Sequence, residues 1–296
     1  MQLPASEPPT TDSSNVGVLL LHCADRPGLV AEVAGFIADH RGNIIDAQQH
    51  TDAATNRFFQ RVTFQHGDMD IPPDELAAAF APVASRLGMT AELHVGGRRP
   101  RVAVLASRQG HCVLDLLHRW QTSELAMDPV AVASNHTDVT DMAGWFGVNF
   151  HHLPIVDGDR SVQESRLEAL LDDLSVELVV LARYMQVLSP QFCARWANRC
   201  INIHHSFLPA FAGPMPYHQA HTRGVKVIGA TAHYVTADLD AGPIIAQGVT
   251  EVTHRDTVAD FARKGRDLET AVLSRAVSAH LDHRVLVDGD RTVVFA

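Results

Sequence analysis

Several features that often declare a protein's function are missing from this 296-residue chain. Its four cysteines, Cys23, Cys112, Cys193 and Cys200, are scattered and form no Cys-x-x-Cys pair. That is too sparse for a disulfide framework and points to a reducing, cytoplasmic setting. No apolar run reaches the ~20 residues of a membrane-spanning helix, so no membrane partner is expected. Residues 1–15 are rich in Pro, Ser, Thr and Ala, without the basic start or apolar stretch of a signal peptide, and residues 1–14 are expected to form a flexible tail. Basic runs are missing apart from Arg98-Arg99-Pro100-Arg101, and the formal net charge is -10. Nucleic acid is therefore not an expected partner, whereas small anions remain open.

Two catalytic devices are missing as well. The chain has 18 histidines, but His204-His205 and His151-His152 are neighbours that point apart on a strand, and no His-x-x-x-His with a helical carboxylate occurs. No metal is expected. Ser206 lacks the Gly-x-Ser-x-Gly elbow of a serine nucleophile.

What is present is an apolar fraction of 46%, ample for a sizeable core, in a length that suits two ordinary domains. Residues 16–22 are a strongly apolar strand. A helix follows from Asp25-Arg26-Pro27-Gly28-Leu29-Val30, with Asp25 as N-cap, Pro27 in the first turn and apolar residues at helical spacing. Gly42-Asn43 ends it, as a left-handed terminal residue does. Residues 44–50 and 58–64 pair as strands, 72–87 form a second helix and 90–95 a closing strand. This order, β-α-β-β-α-β, is the ferredoxin-like arrangement. The segment resembles an ACT domain, which carries the same Asp-Arg-Pro-Gly-Leu-Val entry and Gly-Asn-Ile turn. The resemblance implies side-by-side pairing into a homo-oligomer, dimer or tetramer. It also implies an amino-acid effector near Asp25, Gly28, Leu29, Gly42, Asn43 and Ile44. Tight-turn chemistry alone would require the same glycines.

The first domain is expected over residues 15–95, a linker over 96–100 (Gly96-Gly97-Arg98-Arg99-Pro100), and the second domain over 101–296. In the second, strands at 101–106, 129–134, 149–153 and 178–181 alternate with helices at 110–121, 138–146 and 160–174. Uninterrupted apolar strands between helices predict a Rossmann-like α/β fold with a mostly parallel sheet covered on both faces. Such sheets bind ligands at the carboxyl ends of their strands. Residues 225–235 and 243–252 read as an antiparallel pair, 256–280 as a long helix supported by Glu269 and Arg275, and 284–287 with 292–295 as a hairpin about Asp288-Gly289-Asp290.

The chemistry concentrates in Asn202-Ile203-His204-His205-Ser206-Phe207-Leu208-Pro209-Ala210-Phe211 and, downstream, Leu239-Asp240-Ala241-Gly242-Pro243. Residues 200–204 alternate as a strand does, so Asn202 and His204 share a face and His205 takes the other. An amide donor beside an imidazole can meet a carbonyl that is becoming an oxyanion. A carboxylate from the Asp240 turn would hold that imidazole protonated and could itself take a proton.

Asn-x-His followed by Leu-Asp-x-Gly-Pro resembles the catalytic signature of the formyltransferase-fold enzymes that use 10-formyltetrahydrofolate. His-His-Ser-Phe-Leu-Pro-Ala-Phe with Pro216-Tyr217-His218-Gln219-Ala220 is similar to the formyltetrahydrofolate deformylases in particular, and the likeness runs from about Val16 to the C-terminus. It implies a hydrolase releasing formate from the folate, in one-carbon and purine metabolism, with no cofactor beyond that substrate. Asn202, His204 and Asp240 are the implied catalytic residues. Met185, Gln186, Val187 and Leu188 on one side, and Thr236, Ala237 and Asp238 on the other, are the implied folate-pocket residues, with His233 near the reacting centre. By its residues alone, the stretch Ala182–Pro190 is an apolar loop before a proline-started helix.

The resemblance has two departures. Where relatives acting on a ribonucleotide amine carry a glycine-rich phosphate loop, this chain has Ser107-Arg108-Gln109-Gly110-His111-Cys112. Pro214-Met215 stand where deformylases usually have a small residue and then a polar or basic one. Ser134-Asn135-His136 is either a site cluster or a cap for the following helix. Formyl transfer to an amine and a non-catalytic folate- or amino-acid-binding role are the alternatives to hydrolysis.

Overall fold

The computed structural model describes residues 15–210 and 215–296; the expected tail over residues 1–14, Phe211 and the departure at Pro214 lie outside the described residues. The chain divides into two compact units, one running to Arg98 and taking in Phe295 and Ala296, the other Arg99–Val294.

The first unit runs β1 (Val16–Ala24), α1 (Leu29–Asp39), β2 (Asn43–Asp52), β3 (Arg57–Gln65), α2 (Leu76–Leu87) and β4 (Thr90–Val95). Its antiparallel sheet has the ferredoxin-like order β2-β3-β1-β4. Leu19, Leu21 and Cys23 alternate onto the face that packs Val33, Ile37 and Phe80 from the helices. Two details of α1 differ from expectation. It starts at Leu29 behind a left-handed Gly28 (φ 94°), with no side-chain cap; the Asp25 N–H instead bonds Asn56 O across the neighbouring turn. The left-handed residue at its end is Arg41, and Gly42 is there because a Cβ would lie 2.7 Å from Ile37 Cγ2.

The second unit runs β5 (Arg101–Ala106), α3 (His111–Gln121), β6 (Asp128–Ser134), α4 (Thr140–Trp145), β7 (Phe150–His152), α5 (Arg160–Asp173) and β8 (Leu178–Leu181). It continues with α6 (Pro190–Arg195), β9 (Cys200–His204), α7 (Pro216–Arg223), β10 (Val227–Tyr234), β11 (Ile244–Glu251), α8 (Val258–Leu281) and the hairpin β12 (Val285–Asp288) and β13 (Arg291–Val294). The sheet order is β11-β10-β9-β8-β5-β6-β7, parallel from β9 to β7 and antiparallel at β9/β10 and β10/β11.

Both faces of the central strands are buried, which is why they read as unbroken apolar runs. Val102, Val104, Val180 and Ile201 pack on Leu116, Leu117, Val272 and Leu273. Ala103, Leu105, Val179 and Leu181 pack on Leu167, Leu171 and Phe192. Each such aliphatic side chain stabilises the fold by roughly 1.5–3 kcal/mol. A capping box starts α8: the Thr257 hydroxyl accepts from Asp260 N–H, and the Asp260 carboxylate accepts from Thr257 N–H. Among the described residues no helix is long and apolar enough to cross a membrane.

Candidate functional site

At the carboxyl ends of β8 and β9 a cavity of about 500 Å³ opens, as a doubly covered parallel sheet allows. Asn202 and His204 reach it from the same face of β9, and β10 pairs antiparallel beside them, setting His233 opposite Asn202. Asp240 comes from the β10–β11 loop in a left-handed conformation (φ 56°). That loop folds back so tightly that a Cβ on Gly242 would lie 1.8 Å from Tyr234 O, so only glycine fits.

The result is a compact polar group. His204 Nδ1 lies 3.3 Å from Asp240 Oδ2. Asn202 Nδ2 is 3.2 Å from His233 Nε2, and His233 Nδ1 is 2.8 Å from Tyr234 O. A backbone carbonyl only accepts, so Nδ1 carries the His233 proton and Nε2 accepts from Asn202. Burial pushes the His233 pKa down, in keeping with that neutral tautomer, and the shared bond orients the Asn202 amide. His233 Nε2 is 3.8 Å from Asp240 Oδ1, too long for a hydrogen bond. Burial alone would raise the Asp240 carboxyl; the His204 hydrogen bond and charge, with His233 and His205, outweigh it and hold the carboxyl below its ordinary value. His204 Nε2 is buried without a protein partner.

The implied folate-pocket loops face the same cavity. Met185, Gln186, Val187 and Leu188 line it, with Met185 and Val187 exposed, as do Thr236 and Ala237. The first loop is pinned by Met185 N–H to Ser107 Oγ (3.1 Å) and Ser189 N–H to Glu164 Oε2 (2.8 Å). Asp238 is exposed and is not among the cavity-lining residues; its carbonyl accepts from the Thr236 hydroxyl, and Leu239 lines the cavity instead. The Ser134-Asn135-His136 cluster does not cap α4, whose N-cap is Val139; Asn135 Oδ1 accepts from Ser107 Oγ at 2.9 Å, tying together the ends of β5 and β6. His205 does not simply face away, because strand alternation stops at His204. Its ring tilts against His204 (5.1 Å) and meets Tyr217 edge-on (5.7 Å).

A second polar cluster adjoins the first. Glu269, read from sequence as a supporting residue of a long helix, is only 1% exposed. Its Oε2 accepts from His111 Nε2 (2.8 Å) and lies 3.6 Å from Arg183 Nε, and its Oε1 accepts from the Tyr217 hydroxyl (2.5 Å). Gly265, one turn earlier, makes room for this: a Cβ there would lie 2.1 Å from the Tyr217 hydroxyl. Burial raises the Glu269 carboxyl, but His111, Arg183 and Tyr217 outweigh it and the net shift is downward. The available signal was a carboxylate on the buried stripe Phe261, Gly265, Glu269, Val272 and Ala276 of α8. His111, Cys112 and Glu269 bring possible metal-ligand atoms within 4.8 Å of one another. They make a poor cation site, since both Glu269 oxygens are engaged and a guanidinium is already present. Burial, and then Glu269, push the Cys112 thiol well up, away from the thiolate a metal needs.

In the first unit, Asp25, Gly28 and Leu29 lie before or at the start of α1, and Gly42, Asn43 and Ile44 lie beyond its end, roughly 16 Å away for an 11-residue helix. One chain does not bring the two groups together. Leu29 is buried in the core, and Asn43 Nδ2 donates to Gln65 Oε1 at 2.9 Å.

A family model described as "Formyl transferase" matches residues 100–277, and one described as "ACT domain" matches residues 17–79. A formyltetrahydrofolate deformylase of Synechocystis sp. is 50% identical over 278 residues, 94% of this chain and 98% of that protein. The crystal structure of a formyltetrahydrofolate deformylase from Pseudomonas syringae pv. tomato matches with a TM-score of 0.93 at 43% identity, covering 97% of this chain and 96% of that one. The glycinamide ribonucleotide transformylase 1 structure from Symbiobacterium toebii matches at 0.65 and 31% identity, with 69% of this chain and 98% of that one covered. An ACT unit, a formyltransferase-fold unit and end-to-end identity near one half leave no ambiguity: the chain belongs to the formyltetrahydrofolate deformylase family.

Proposed function

We propose that this protein hydrolyses 10-formyltetrahydrofolate to tetrahydrofolate and formate by direct attack of water on the formyl carbon, in one-carbon and purine metabolism. The observation that carries the reading is the grouping of Asn202, His204 and Asp240 at an open cavity, in a chain half identical to a deformylase. The pterin lies between residues 185–188 and the 236–240 loop. The formyl group, on N10 of the folate, points to Asn202, which donates to the developing oxyanion. His204, as the imidazolium paired with Asp240, adds positive charge there. Asp240 takes the water's proton, directly or through a second water, and helps return it to the leaving folate nitrogen. One oxyanion donor contributes about a hundred- to a thousandfold in rate, and a positioned acid–base group roughly the same again. The chemistry calls for no cofactor beyond the folate substrate.

Transfer to an amine is less well supported. Gln109 and His111, in the segment that departs from the transferase phosphate loop, bond inward to Arg183 and Glu269. The experiment is incubation with 10-formyltetrahydrofolate and no amine, reading formate and tetrahydrofolate. Equimolar release supports the reading, and release only when an amine is added refutes it.

The first unit serves assembly and amino-acid sensing in this reading. Its edge strand β2 is exposed along nearly its whole length, with Ile44 and Ile45 outward, and an open edge is commonly covered by a second copy. Free and buried cysteines fit a cytoplasmic enzyme. Sedimentation of the full chain, and calorimetric titration with free amino acids, test the oligomer and the effector separately.

A further inference from the structure

Among the described residues lining the cavity of Asn202, His204 and Asp240, Arg183 alone is a lysine or arginine. It is 9% exposed and sits in a left-handed backbone conformation (φ 65°), which costs a non-glycine residue roughly 1–3 kcal/mol. Its Nε donates to Gln109 Oε1 at 3.3 Å and lies 3.6 Å from Glu269 Oε2 as an ion pair. Its Nη1 is buried and has no partner. An orphaned donor on a buried cation is expensive, so a strained and half-satisfied guanidinium at a reaction cavity calls for a ligand.

The reaction proposed above supplies one. The water oxygen bonds to the formyl carbon, the carbon–nitrogen bond breaks, and the folate nitrogen takes a proton. The formic acid then loses its own proton, so a neutral amide and water become an amine, a proton and a carboxylate anion. That anion forms in the same cavity as Asp240, whose carboxylate already takes up the charge of His204, so the new anion needs a cation of its own. His205 offers no balancing charge, because burial, and then Arg183, hold its pKa down to about 3. Arg183 can supply that charge, and its planar fork suits a carboxylate.

We infer that Arg183 is the carboxylate contact of this site, holding formate as it forms, with Glu269 and Gln109 as positioning residues for its guanidinium. Glu269 suits that part because the Tyr217 hydroxyl and His111 fix its oxygens.

The inference rests on the hydrolytic reading, and its test separates the two. Product inhibition by sodium formate is measured on the full-length enzyme and on Arg183→Lys, which keeps the charge and loses the fork. It is also measured on the double variant Arg183→Met/Glu269→Gln, which leaves no buried charge unpaired. Formate inhibits the parent enzyme, and the ratio of its inhibition constant to KM for the folate rises at least about tenfold in each variant; tenfold is the loss of one charge-assisted hydrogen bond. A purely structural role would leave that ratio unmoved. If the double variant fails to fold, the line width of 13C-formate with parent and Arg183→Lys enzyme, each carrying tetrahydrofolate, gives the same answer. Formate inhibition that is equal in parent and Arg183→Lys, or a formate line the parent does not broaden, overturns the assignment while turnover stands. No formate from the parent enzyme overturns the activity itself.

Discussion

Two carboxylates of the catalytic unit, Glu269 buried and Asp240 half-buried, are furnished in opposite ways. Glu269 is engaged on both oxygens: it accepts from His111 and Tyr217, Arg183 lies beside it, and α8 holds it deep in the core. Asp240 is held by a strained turn, has one histidine at 3.3 Å, and opens onto a cavity where His204 Nε2 has no partner. A carboxylate with a fixed donor on each oxygen and a guanidinium beside it anchors structure. One left partly unmatched beside open space is available for proton transfer.

The comparison breaks most readily at Asp240. Asp240→Asn should lower kcat by at least about a hundredfold, with KM for the folate little changed and only a modest drop in melting temperature from the lost His204 pairing, since its catalytic part is played in the transition state. Asn202→Ala should cost about a hundred- to a thousandfold for the lost oxyanion donor. Steady-state kinetics beside thermal melts checks both, and near-normal turnover in either places the chemistry elsewhere.

Glu269→Ala should do the reverse and act first on the fold. Removing one partner of a buried ion pair costs roughly 3–5 kcal/mol, read by urea unfolding. Gly265→Ala probes the same anchor more gently. Its methyl would displace the Tyr217 ring, at about 1–3 kcal/mol for overpacking. A parental urea midpoint in either variant would show that the junction contributes little.

The pH dependence separates the pair with a smaller effect. Both carboxyls are depressed in the folded state, so the stability each adds is fully present above the ordinary carboxylate range. It is lost as pH falls through the depressed folded values. Stability should therefore decline below about pH 4–5, and Glu269→Gln should flatten that acid limb. An unchanged acid limb in the variant would mean that Glu269 gains nothing from its partners. Chelation has the smallest expected effect: excess EDTA should leave formate release unaltered, and a loss restored by zinc would reassign His111, Cys112 and Glu269 as ligands.

Much of this was legible beforehand. β8 and β9 fall on their expected bounds because buried parallel strands and strict alternation leave strong local patterns. The shared face of Asn202 and His204 followed from that alternation alone. Helix ends were less legible. Asp25 and Gly42 carry suitable cap chemistry, but a neighbouring turn claims the Asp25 amide, and Arg41 takes the left-handed position beside Gly42. The helix α7 went unread because its eight residues are mostly polar and show no clear apolar stripe.

The sequence by itself determined the order of the elements, the two-unit architecture, and the strand that carries an amide and an imidazole on one face. These depend on the period of apolar residues and on turn chemistry, both local properties. Only the tertiary structure decided that Asp240 reaches His204, that Asp238 stays out of the cavity, and that Arg183, His111, Tyr217 and Glu269 share one buried junction. Their partners come from α3, α7, α8 and the ends of β8 and β9. A buried charge is tolerable only where such distant partners meet it, so its role is written in the packing and not in its neighbours along the chain.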